Sequence, residues 1–289
     1  MRQHAEPFDP REPVPGWTVE RHLDAFASGY FPMAISHNEL DLIGSLGGTS
    51  EEAWNELAET DPQPVGIDNT SRDIGEVHWY MPRYRAVLPL TEQEGLHVPR
   101  TVRKILNQGR FDFRTDTAFE QVVRCCSRSR SSTDRPWIDR RIFAMYQQLH
   151  QAGHAHSLEA WRTDPETGEE RVVGGVYGLS IGSIFFAESM FHEPRPRRAD
   201  GSRDPLDGTN ASSCALIRLC EHLSACGYSV LDVQMKNDHT ERFGVVEMHH
   251  QSFDRLLDQA VRQDEHWMPL TSTDPSASGQ SEISTGDQC

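Results

Sequence analysis

Three runs decide the fold: HAHSLEAW (His154–Trp161), RVVGGVYGLS (Arg171–Ser180) and SIFFAESMF (Ser183–Phe191). Each is short, rich in apolar residues and bounded by glycine or polar residues, which is the pattern of a strand. Gly168 and Gly182 fall in the two gaps, where a tight reversal asks for a residue free to take positive φ. Three such strands joined by short turns make an antiparallel meander. Downstream, Ala211–Cys226 places Leu216, Leu219, Cys220 and Leu223 at helical spacing and stops at Gly227. Ser229–Met235 then reads as a last buried strand.

Meander, helix, strand is the order of an N-acetyltransferase-like core, and the expected fold class is α+β. Thr117–Cys126 and Arg140–Ala152 precede the meander as helices, the first capped by Thr115 or Asp116 and the second ended by Gly153. Phe111–Arg114 and Arg85–Leu90 read as strands, with a basic helix at Arg100–Gln108 between them. Residues 17–32 begin with an amphipathic helix (Val19, Leu23, Phe26) that ends at Gly29. The expected layout is a small N-terminal α/β domain over 1–110, an acetyltransferase-like (GNAT-like) domain over 111–268, and a disordered tail over 269–289. Polar inserts lie at about 39–75, with one short helix at Glu51–Leu57, and at 195–209.

The chain has 289 residues and a formal net charge of −16. That balance argues against non-specific coating of nucleic acid, which rests on Lys and Arg. It leaves room for one local basic surface, and Arg100, Arg103, Lys104 and Arg110 offer one; a solvated helix face is the plainer reading. No run reaches the roughly 18 apolar residues of a membrane span, and the start has no signal-peptide core. None of the six cysteines forms a CxxC pair, which suits reduced thiols and a cytoplasmic location.

Three polar residues interrupt apolar strands: Glu188, Asp232 and Gln234. A carboxylate in such a run is costly to bury without a purpose or a partner. Asp232 and Gln234 lie two apart, on one face of a strand, where an acid can orient a carboxamide and leave its oxygen free to hold an amine. The alternative is a buried network that fixes strand register. His150, His154 and His156 could suggest a metal, but Gly153 breaks the helix between the first two and no further ligand is spaced to complete a site; no metal is expected. There is no GxSxG elbow for a serine hydrolase. Arg171–Val176 resembles a coenzyme A phosphate turn only in part, because it reads as strand and lacks the helix start that would present N–H groups. Trp79, Tyr80, Trp137 and Trp161 flank the core and could stack on a base or simply pack.

These residues lie in runs that together resemble one family. The runs are GYFPM (Gly29–Met33), WYMP (Trp79–Pro82), FR (Phe113–Arg114), FEQV (Phe119–Val122), WI (Trp137–Ile138) and YQQLHQAGHAHSLEAW (Tyr146–Trp161). VGGVYG (Val173–Gly178), FAESMF (Phe186–Phe191), LDVQ (Leu231–Gln234) and NDH (Asn237–His239) follow in order. From about Gly29 to Leu256 the chain resembles the leucyl/phenylalanyl-tRNA–protein transferases. The resemblance implies transfer of Leu, Phe or sometimes Met from aminoacyl-tRNA to proteins beginning with Arg or Lys, which marks them for degradation. It implies no cofactor, and a monomer is expected. Carried over by position, Glu188, Asp232 and Gln234 are catalytic, with Asp232 orienting Gln234. Trp79 and Trp137 would meet the tRNA's terminal adenosine, Val176, Met190 and Leu216 would line the donor pocket, and Asn237 would bind substrate. The chain departs from the family pattern at Ala187, where Gly is usual, at Ser213, where Lys is usual, and in both inserts. It also lacks the Leu-x-Gly-Gly-Asp-Leu run that is common before the first helix. A coenzyme A-dependent acetyltransferase and a non-enzymatic adaptor for basic N-termini are the alternatives.

Overall fold

A computed structural model describes residues 18–35, 76–90, 95–128, 138, 140–264 and 267–270. In chain order the elements are α1 (Val19–Ala27), β1 (Phe31–Ile35), β2 (Glu76–Tyr80), β3 (Tyr84–Pro89), α2 (Arg100–Asn107), β4 (Asp112–Thr115), α3 (Phe119–Cys126) and α4 (Arg140–Gln151). They continue with β5 (Ala155–Thr163), β6 (Glu170–Ile181), β7 (Ile184–His192), α5 (Ala211–Ala225), β8 (Val230–Asp232), α6 (Asp238–Glu241), β9 (Val246–His249) and α7 (His250–Ala260). The fold is mixed α+β. Its main sheet has seven strands in the order β4-β5-β6-β7-β8-β3-β9, and a separate β1–β2 pair stands beside it. The meander forms as read, with antiparallel β5–β6 and β6–β7 ladders; β8 joins β7 in parallel.

Adjacent residues of a strand face opposite ways, and β7 shows the result. Phe186 packs with Phe26, Tyr146, Tyr177 and Phe253 on one face, and Phe185 packs with Leu158, Leu219 and Leu231 on the other. Helices α1, α3, α4 and α7 cover the first face, and α2 and α5 the second. A sheet covered on both sides needs apolar residues at successive positions, which is why these strands read as continuous runs.

Several expectations need correction. β3 lies between β8 and β9, so the large sheet takes strands from both sides of residue 110, the expected domain boundary. β8 stops at Asp232 rather than reaching Met235, and β9 and α7 follow it. Neither Thr115 nor Asp116 caps α3. The N-cap position is Ala118, whose N–H is accepted by Glu159 at 3.2 Å, while Thr117 Oγ1 donates to the same carboxylate at 2.7 Å. Thr115 and Asp116 instead hold the chain's later part: Thr115 Oγ1 accepts from Leu270 N at 2.8 Å, and Asp116 Oδ2 accepts from Trp267 Nε1 at 2.9 Å. The insert at 39–75, its short helix and residues 271–289 lie outside the described residues. Among the described residues no helix is long and apolar enough to cross a membrane.

Candidate active site

The parallel β7–β8 ladder ends at Phe186 and Asp232, yet β7 runs on to His192. Where pairing stops, the two chains part and a cleft of about 740 Å³ opens between them. Ala187–Pro194 form one wall; Val233, Gln234 and Asn237 form the other.

Glu188 reaches this cleft through a defect in the ladder. Tyr177 pairs with Ser189 but Gly178 pairs with Ala187, so Glu188 is the extra residue of a β-bulge. A bulge re-aims a side chain that strict alternation would send elsewhere. Gly178 makes the close approach feasible, since a Cβ there would sit 2.1 Å from Phe186 O.

Gln234 is placed by a different device. It lies beyond β8 with φ of 57°, so it does not share a strand face with Asp232. Asp232 Oδ1 accepts from the Gln234 main-chain N–H at 2.8 Å, and Gln234 O accepts from Ala86 N at 3.0 Å. The orienting bond expected between acid and carboxamide is therefore a bond to the main chain. Asp232 is fully buried and does not line the cleft. Arg85, only 1 % exposed, donates to its carboxylate through Nε at 2.9 Å and Nη2 at 2.6 Å, and through Nη1 to Gly29 O at 3.0 Å. The guanidinium lies 4.8 Å from both the Phe31 and the Phe253 ring centres.

The Gln234 carboxamide donates from Nε2 to Glu188 Oε1 at 3.3 Å, which turns its oxygen away from Glu188. Glu188 is half-buried and lines the cleft. Burial, then the neighbouring Asp232 charge, push its carboxyl up to about 8, against a weaker pull from Arg85. Tyr146 and Tyr177 lie below, fully buried, with ring centres 5.1 Å apart. Neither hydroxyl meets hydrogen-bond geometry with a group among the described residues. Burial and the Glu188 charge raise both phenols.

Val176, Met190, Leu216 and Asn237 all line the cleft with Glu188 and Gln234. Asn237 already spends its side-chain oxygen on His239 N and Thr240 N, capping α6. Trp79 is not there. It is 2 % exposed, packed edge-on to His22 and Phe26, and has no open face for a base. Trp137 lies outside the described residues. His150 stacks on Phe119 at 4.0 Å, and His156 Nδ1 meets Asp116 Oδ2 at 2.8 Å, so both serve packing and hydrogen bonding. Arg85, Tyr146 and Tyr177 belong to the site without having been expected there from sequence. Arg85 carries a signal, a lone charge beside the apolar run Ala86–Leu90 that matches a lone carboxylate in another run.

Residues 87–258 match a family described as leucyl/phenylalanyl-tRNA protein transferase. The chain belongs to this aminoacyltransferase family. A leucyl/phenylalanyl-tRNA–protein transferase of Paramagnetospirillum magneticum is 38% identical over 242 residues, spanning 83% of this chain and 88% of its own length. One from Salinibacter ruber is 34% identical over 207 residues, spanning 72% of this chain and 78% of its own. The resemblance read from the motifs is thus borne out. A crystal structure of FemX is also similar, with a TM-score of 0.40 and 11% identity, over 80% of this chain and 75% of that one.

Proposed function

We propose that the protein moves Leu, Phe or Met from aminoacyl-tRNA to the N-terminal α-amine of proteins beginning with Arg or Lys, creating a degradation signal in the cytoplasm. The observation that supports this is one juxtaposition: a carboxyl and a carboxamide 3.3 Å apart in a cleft that also holds the apolar side chains of Val176, Met190 and Leu216. In this reading Val176, Met190 and Leu216 hold the donor side chain. Apolar walls discriminate by only a few kcal/mol, which fits tolerance for several donors.

The ester bond of a charged tRNA is already activated, so the protein must align the amine and handle one proton. The Gln234 oxygen accepts a hydrogen bond from the α-amine and Glu188 takes the proton that the ammonium carries. The amine nitrogen attacks the ester carbonyl carbon, the carbon–oxygen bond to the ribose breaks, and the ribose oxygen leaves with the second proton lost by nitrogen. An amide forms, an ester is consumed, and charge balances. Asp232 works at one remove, fixing the turn that presents Gln234.

The test is transfer of radiolabel from a panel of charged tRNAs to peptides with varied first residues. Acid-stable label on Arg- and Lys-started peptides from Leu-, Phe- or Met-tRNA is the expected result; peptide binding without label from any tRNA overturns the reading.

A further inference from the structure

The cleft draws its lining from both faces of the sheet. Val176, Met190 and Leu216 belong to the core on the α5 side, whereas Phe191, Cys125 and Cys126 belong to the core on the α3 side. With the donor side chain in the first half, the second half is left for the acceptor. Among the described residues this half holds one carboxylate, Glu193, one residue beyond β7, and one guanidinium, Arg128, two residues beyond α3.

Glu193 holds its cation loosely. Arg128 Nη1 donates to Glu193 Oε1 at 2.7 Å, and Cys125 Sγ donates to the same oxygen at 3.9 Å. Burial raises the Cys125 thiol, which keeps it a donor. The second oxygen, Oε2, has no partner among the described residues. The Arg128 side chain is 61% exposed and that of Glu193 31%, so water screens the pair and a second cation can displace Arg128. The fold relies on the Glu193 main chain instead: its N–H donates to Val173 O and its carbonyl accepts from Gly208 N, each at 2.8 Å. The other acids of the site are already committed. Asp232 is buried against Arg85 and does not line the cleft. Glu188, pushed up to about 8, takes the proton of the α-amine in the reaction proposed above. An acceptor that begins with Arg or Lys brings a second cationic group, which calls for a second carboxylate. Five residues of strand rise about 16 Å. An extended Arg side chain places its guanidinium about 7 Å from its own α-nitrogen, and two hydrogen bonds of about 3 Å leave a remainder within the swing of two glutamate side chains.

We propose that Glu193 reads the cationic side chain of the acceptor's first residue, and that Arg128 holds the place of that cation until the acceptor arrives. The inference rests on the transfer reaction proposed above for the identity of the acceptor. A guanidinium can engage both oxygens of Glu193 at once and an ammonium cannot, so Arg is the better first residue.

The experiment uses the full chain and fluorescent peptides that differ only in a first residue of Arg, Lys or citrulline, the neutral isostere of Arg. Two quantities are measured for each: Kd without tRNA, by anisotropy, and kcat/KM for transfer from Leu-tRNA. Wild type should prefer Arg over citrulline in both. Glu193→Gln should shrink that preference by about 10-fold or more. Arg128→Gln removes the competing cation and should raise it by about 1.5–5-fold. A purely structural role would weaken all peptides together and move both variants the same way. Arg128→Gln, at an exposed side chain, keeps the test open if Glu193→Gln misfolds. Equal Arg-to-citrulline ratios in wild type and both variants overturn the assignment while the transfer reaction stands. A ratio that falls in Arg128→Gln overturns the place-holding role. If the Kd ratios shift as expected but no charged tRNA gives label, Glu193 reads the cation and the proposed reaction fails.

Discussion

At Glu188, burial and the Asp232 charge push the carboxyl up to about 8, close to the roughly 8 of an α-amine. Proton transfer between groups so matched is nearly free of thermodynamic cost, the condition under which a general base works best. Glu188→Gln should lower kcat by about 10²–10⁴-fold. With a weakly basic amine acceptor that stays neutral throughout there is no ammonium proton to take, so the gap between wild type and Glu188→Gln should close. The same group leaves a mark on stability. Its folded carboxyl lies above the ordinary 4.5, so between 4.5 and about 8 the folded state binds more protons than the unfolded one. Stability from Glu188 is therefore present at low pH and is lost as pH rises through that window. The unfolding midpoint of Glu188→Gln, relative to wild type, should climb from pH 4.5 to 8 and then level.

The strands carry this chemistry by their irregularities, and that is where the sequence is hardest to read. The meander, α4 and α5 are legible because both faces of the sheet are buried and their apolar runs are long. β9, with Glu247 and His249 in four residues, has no such run. Asp232 and Gln234 are recognisable as polar residues in an apolar setting, but spacing alone implies a shared strand face; the positive φ at Gln234 goes with a local bond from its N–H to the Asp232 side chain and a tertiary bond to Ala86, and the latter no local pattern announces. The bulge at Glu188 depends on pairing with β6 and is equally invisible, as is the burial of Trp79. Substitutions at the bulge and at the turn probe these irregularities directly. Gly178→Ala puts a Cβ against Phe186 O; relieving that clash should cost about 1–3 kcal/mol and displace the bulge, so transfer at permissive temperature should drop more than the folded fraction does. Asp232→Ala leaves Arg85 buried without its partner and should cost about 3–5 kcal/mol in denaturant unfolding. Arg85→Met/Asp232→Leu should recover most of that stability but not activity, because nothing then holds the Gln234 N–H.

Across the whole molecule, the aromatic layer under the cleft joins α1 to Glu188. His22 of α1 is fully buried, with its ring 4.9 Å from Phe26, 5.3 Å from Trp79 and 5.5 Å from Tyr146, and Tyr146 lies under Glu188. Burial lowers the imidazole from 6.5 to about 3. Between those values the unfolded chain binds the proton and the folded one does not, so stability rises with pH across the window and is lost as pH falls through it. His22 and Glu188 thus slope in opposite directions between 4.5 and 6.5, each limiting the molecule on its own side. His22→Phe keeps a ring among these rings and should change stability at pH 7 by less than about 1.5 kcal/mol. Urea unfolding from pH 4 to 7 should then give a shallower loss on acidification for the variant than for wild type. Parallel acid limbs in the two proteins would mean that His22 is not held neutral, and that some other group loosens the layer beneath the site.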